Sequence, residues 1–222
     1  WPVGKGSRLN RILTIRWSGQ LTDGLFQSAL ASFVLFSPER APNAVSAALA
    51  FAVVLLPYSL IGPYVGTFLD RFSRQRIIRN CNYVRAANLL IIAWLINNSS
   101  TGIILTLFVL FAFGVNRLIL SGLSAGLPLL VKKEELIAAN ALAVTGGTIW
   151  VVIGGGIGIA IKNLLSKNAD ADYADAVVVL VAAMGFLIAA LACLRLNKYE
   201  IGPSEHETSL EARGYKEVLE GV

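Results

Sequence analysis

Charged residues are scarce in this sequence. They make up 15% of its 222 positions, against about a quarter in soluble domains. Histidine is scarcer still: the single example, His206, sits among acids near the C-terminal end. A single histidine excludes a His-Glu-x-x-His zinc helix, and its place in the polar C-terminal stretch argues against a Ser/His catalytic set. Cysteine occurs only at Cys81 and Cys193, far apart, in apolar surroundings and without metal-ligand spacing. Both are expected to be small buried hydrophobes. No Gly-Lys-Ser/Thr follows any glycine-rich stretch, so there is no phosphate loop to drive ATP-coupled work. No pair of acids falls in facing segments. The expectation is a protein with no enzymatic activity, cofactor or metal. Methionine occurs only at Met184 and the chain opens at Trp1, so it is expected to be a piece of a longer protein.

What the sequence has instead is apolar residues, at 55%. That is more than an aqueous globular core requires, and it makes the bilayer the natural solvent. Six segments are long enough to span: about 12–36, 44–69, 77–96, 103–131, 136–165 and 174–196. Backbone polar groups in hydrocarbon must be satisfied within the segment, and the alternation of barrel strands is missing, so the spans are expected to be helices. Residues 1–11 then form an N-terminal segment, 12–196 a transmembrane domain, and 197–222 a polar tail or inter-domain linker. Tyr215, Val218, Leu219 and Val222 have the spacing of an amphipathic helix within that tail.

Lys and Arg fall mainly on one side of this six-span scheme. Lys5, Arg8, Arg11, Arg71, Arg74, Arg76, Arg79, Lys132, Lys133, Arg195 and Lys198 share it, and only Arg40, Lys162 and Lys167 lie opposite. Positive loops stay cytoplasmic, so both ends are expected in the cytosol. The same clustering reads as a topology signal rather than a nucleic-acid face, and no nucleic-acid partner is expected.

One basic loop carries more than topology requires. In Gly66–Arg76, GTFLDRFSRQR, Asp70 closes a span, where a carboxylate meets the negative end of the helix dipole. Gly66, one turn earlier, permits close helix contact. An acid placed unfavourably, a small residue and a basic turn together suggest a helix–helix latch. Here the sequence resembles the major facilitator superfamily of secondary transporters, whose signature between spans two and three is roughly G-x-x-x-D-R-x-G-R-[RK]. Gly66, Asp70, Arg71 and Arg74 match in register. Ser73 replaces the second glycine and Gln75 a basic residue. Leu127–Leu142 is similar to the span-four to span-five junction of multidrug and siderophore exporters. The glycines at 146–147, 154–156 and 158 are similar to the glycine-rich fifth span, without its proline. The resemblance implies two three-helix inverted repeats making one half of a twelve-helix transporter, with Gly66, Asp70, Arg71 and Arg74 as a conformational latch.

Charge at membrane depth costs a few kcal/mol on insertion scales and marks function by default. Asp23 and Arg117 lie deep in the first and fourth spans. Arg85 lies in the third span, on a half-helix with Asn80, Asn82 and Tyr83, and is open to either surface or interior. Arg16 lies near the inner end of the first span and is expected to snorkel. The resemblance places spans one and four around a central cavity, which implies that Asp23 and Arg117 face each other as proton-coupling residues. The plain structural alternative is a static ion pair. Gln20, Asn116 and Thr145 are candidate substrate-cavity residues.

The expected function is proton-coupled efflux of small compounds, amphipathic ones included, by alternating access in a bacterial plasma membrane. The expected partners are lipid, protons, a small-molecule substrate and a second six-helix half, in cis or in trans. The alternative from another class is a non-transporting six-span assembly or sensing subunit on the same scaffold.

Overall fold

A computed structural model describes residues 8–31, 45, 69, 72–99, 102–167 and 169–202. Its long elements are all helical: α1 (Arg8–Leu30), α2 (Arg74–Asn97), α3 (Ile103–Gly126), α4 (Leu136–Leu165) and α5 (Ala171–Ala192). They coincide with the first, third, fourth, fifth and sixth expected spans. The second expected span lies outside the described residues except for Val45 and Leu69. So do Gly66, Asp70, Arg71 and the tail from residue 203, including its expected amphipathic helix.

Among the described residues, three stretches are long and apolar enough to cross a membrane: Ile103–Leu129, Lys133–Leu165 and Ala171–Arg195. α1 and α2 are as long as a span requires but more polar, because each turns a polar stripe inward. Thr22 and Asp23 are buried on α1, and Gln75, Asn82, Arg85 and Asn88 on α2. The outward faces are apolar instead. Ile103, Leu107 and Phe111 of α3, Val152 and Ile159 of α4, and Met184 and Ile188 of α5 are all exposed. In water so much exposed apolar surface would drive association, whereas hydrocarbon solvates it.

α1 packs against α4 and α5, and α2 packs against α5 and α3. The main core, with Phe26, Leu89, Ile92, Val109, Val179 and Phe186, fills the space between α1, α2, α3 and α5. The α1–α4 seam is built differently. Every buried residue of α4 is small: Ala139, Ala143, Gly147, Gly154 and Gly158. A Cβ on Gly154 would overlap the Leu21 carbonyl oxygen, and one on Gly24 the carbonyl oxygen of Val151. Small residues at four-residue intervals bring two helix backbones together, the usual solution where lipid supplies no hydrophobic drive for association.

The helix directions follow from contacts at the two ends. At one end Arg11 of α1 bonds the Arg195 carbonyl, Arg74 of α2 bonds the Ala125 carbonyl of α3, and Glu200 pairs with Arg8 and Arg11. At the other end Lys162 of α4 pairs with Asp175 of α5 at 2.7 Å, and Ser99, just after α2, donates to Asp172 at 2.7 Å. α1 and α2 therefore both start at the first end.

Candidate functional site: a buried ion pair at the centre of the bundle

Asp23 lies twelve residues beyond Arg11, and Arg85 eleven beyond Arg74. At 1.5 Å per residue both sit ~17 Å from the same end. That is mid-depth in a hydrocarbon core of about 30 Å. There the Arg85 guanidinium pairs with the Asp23 carboxylate through Nη2 and Oδ1, with both side chains almost wholly buried. The other terminal nitrogen, Nη1, donates to Asn116 Oδ1 of α3 at 3.2 Å. Gln20, one turn before Asp23, donates from Nε2 to the second carboxylate oxygen at 3.3 Å. The Phe186 ring of α5 lies under the guanidinium, 3.8 Å from Cζ to the centroid. Four helices thus contribute to one charge-neutral cluster. Its members hold each other by the rule that a buried charge needs both a counter-charge and hydrogen bonds.

Asp23 therefore has a different partner from the one implied by the family resemblance. Arg117 is exposed, and Arg85 takes the carboxylate. The reason is helical register. Within α3, Asn116 points into the bundle, and the adjacent Arg117 is turned about 100° away. The choice left open for Arg85 is resolved, since it is 1% exposed and does not reach the surface. Of the residues expected along a substrate cavity, Gln20 and Asn116 hydrogen-bond to the ion pair and Thr145 is exposed on α4. Arg16, expected to snorkel, is half-buried and donates to Ser124 Oγ of α3 at 3.0 Å. Arg16, Gln20 and Asp23 lie at i, i+4 and i+7, so the three form one polar stripe along α1.

Of the proposed latch residues only Arg74 is described. Its Nη1 donates to the carbonyls of Ala125 at 3.0 Å and Ile201 at 3.1 Å. Phe186 escaped the sequence reading because an aromatic ring in an apolar span carries no signal of its own. A buried Arg one helix away was the only available pointer.

An all-helical bundle with apolar outer faces and a buried, cross-helix ion pair is the architecture of a multi-pass membrane protein. Comparison with known proteins gives the family. The Major Facilitator Superfamily profile matches residues 17–219, and the chain belongs to that family. It is 34% identical to an uncharacterized MFS-type transporter of Mycobacterium bovis, over 95% of this chain and 47% of that protein, with the same figures for one of Mycobacterium tuberculosis. It is 21% identical to macrolide efflux protein A of Streptococcus pyogenes, over 93% of this chain and 49% of that protein. The chain thus spans about half the length of these relatives. No solved structure matches it.

Proposed function

We propose that this chain is the N-terminal six-helix half of a secondary-active transporter in a bacterial plasma membrane, with both ends cytoplasmic. It exports small compounds, amphipathic ones included, by alternating access coupled to protons. The reading is carried by the buried Asp23–Arg85 pair, which joins α1 to α2 and, through Asn116 and Phe186, to α3 and α5. Adding a proton to Asp23 removes the counter-charge of Arg85 in a medium where charges interact strongly. Arg85 is then left with a neutral amide and a ring face, and the arrangement that keeps it buried loses its main support. A conformation admitting water or a polar ligand to Arg85 gains by the same amount. Protonation at one carboxylate thereby biases a two-state bundle, which is what coupling requires.

Two further observations support the half-transporter reading. Exchanging α1 with α3 and α2 with α5 converts the α1–α5 contact into α3–α2 and leaves α2–α5 unchanged, as two inverted repeats demand. The relatives are about twice as long, which fits a second bundle as partner, and two of them are named for efflux.

The test is Asp23→Asn in the assembled transporter, reconstituted in liposomes with an imposed pH gradient. Gradient-driven flux is expected to vanish, while exchange of substrate without a gradient continues. Undiminished gradient-driven flux removes Asp23 from coupling.

A further inference from the structure

Residues 197–202 follow the last helix and read as the opening of a polar tail. In the structure they fold back across the bundle instead. Ile201 is fully buried in a core cluster with Ile12, Ile78, Ile119, Leu123 and Cys193, contributed by α1, α2, α3 and the turn after α5. Glu200 has only 2% of its side chain exposed. It accepts from the Asn197 backbone N–H at 2.9 Å and from Arg11 Nη1 at 3.5 Å, with Arg8 at 3.8 Å. Gly202 has φ of +75°, a turn that glycine adopts freely. A Cβ there would also press on Leu129 at 2.9 Å and on Arg74 at 3.1 Å. Gly126, at the end of α3, leaves the room that Ile201 fills, since a Cβ on it would stand 2.9 Å from that of Ile201.

This turn also completes the start of α2. Ser73 precedes the helix but makes no side-chain cap, so the first-turn N–H groups need other acceptors. The Gly202 carbonyl accepts from the Arg74 N–H at 3.0 Å. In return the Arg74 side chain donates to the Ile201 carbonyl and to the orphan Ala125 carbonyl at the end of α3, where a cation also suits the dipole. Gln75 donates to the Cys193 carbonyl at 2.8 Å. The two segments cap each other.

We propose that residues 197–202 are a clasp docked in an inner-face groove between α1, α2 and α3, with Glu200 and Ile201 as its anchors. The clasp makes Arg74, and so the entry to α2, mechanically continuous with the chain beyond Gly202. Displacing that chain then pulls on the basic loop that opens α2 rather than on a loose linker. The proposal is independent of what is transported and of proton coupling.

Hydrogen exchange on the full chain in lipid nanodiscs tests it without a transport assay. In the unsubstituted protein the amides of Arg74 and of Glu200–Gly202 are expected to exchange at least about tenfold slower than in an unstructured peptide. Glu200→Gln and, separately, Gly202→Ala are expected to accelerate both segments together by about tenfold, while the centre of α5 is unchanged. Three results overturn the clasp: unprotected amides at 200–202 in the unsubstituted protein, acceleration at 200–202 without acceleration at Arg74, or equal acceleration throughout all helices.

Discussion

Gly154 of α4 faces the Leu21 carbonyl of α1 with no space between them for a methyl group. Gly156, two residues on, has nothing within 4 Å of where a Cβ would stand. The two glycines belong to the same helix and the same apolar run, so intrinsic helix propensity treats them alike. Alanine is favoured over glycine by about 1 kcal/mol at either position. At 156 that gain is uncancelled, and Gly156→Ala is expected to hold or raise the melting temperature in detergent. At 154 the backbones must separate, with overpacking costs of about 1–3 kcal/mol, and Gly154→Ala is expected to melt lower. Equal behaviour of the two variants contradicts the close α1–α4 seam.

The central ion pair makes a second prediction. Arg85→Gln and Asp23→Asn each leave one buried charge without its partner, at a cost of about 3–5 kcal/mol. Together they leave two neutral amides able to bond each other and Asn116. The double variant is therefore expected to recover at least half of the larger single loss, measured by thermal unfolding in the same lipid or detergent. Strictly additive losses mean that the two groups do not depend on each other.

Arg117 separates the pairing expected from the sequence from the pairing in the fold. It is exposed on α3, and losing an exposed polar contact costs about 0–1 kcal/mol, against about 3–5 kcal/mol for stranding a buried charge. Arg117→Gln is expected to melt close to the unsubstituted protein, while Arg85→Gln melts well below it. A loss at 117 matching that at 85 returns Arg117 to the core of the bundle.

Five of the six expected spans were legible as helices because apolar length and turn residues report directly on solvent, and the second lies outside the described residues. The helices Arg74–Asn97 and Leu136–Leu165 begin within about three residues of where hydropathy puts them. Asp23 was legible too, since an acid in an apolar run is costly anywhere. Its partner was not. Which of two deep arginines faces inward depends on helix rotation, and one residue of register separates Asn116 from Arg117. The glycines of α4 announced a close approach but not its target. The clasp was hidden for another reason. Glu200 and Gly202 read as polar tail because the sequence does not say that Ile201 finds a cavity over Gly126.

Phe186 provides the last prediction, and it needs a cycle to be informative. Its ring belongs to the apolar core as well as lying 3.8 Å under Arg85. Phe186→Leu therefore loses two things: packing volume, and attraction between the guanidinium and the ring face. A desolvated cation–π contact is worth about 2 kcal/mol. The packing loss is present whether or not position 85 is charged, but the electrostatic loss requires the cation. Phe186→Leu is expected to cost about 2 kcal/mol more in the unsubstituted protein than in an Arg85→Gln background, measured by unfolding of all four proteins in one detergent. A cost independent of residue 85 reduces Phe186 to a packing residue and leaves Asp23, Gln20 and Asn116 as the groups that hold the guanidinium.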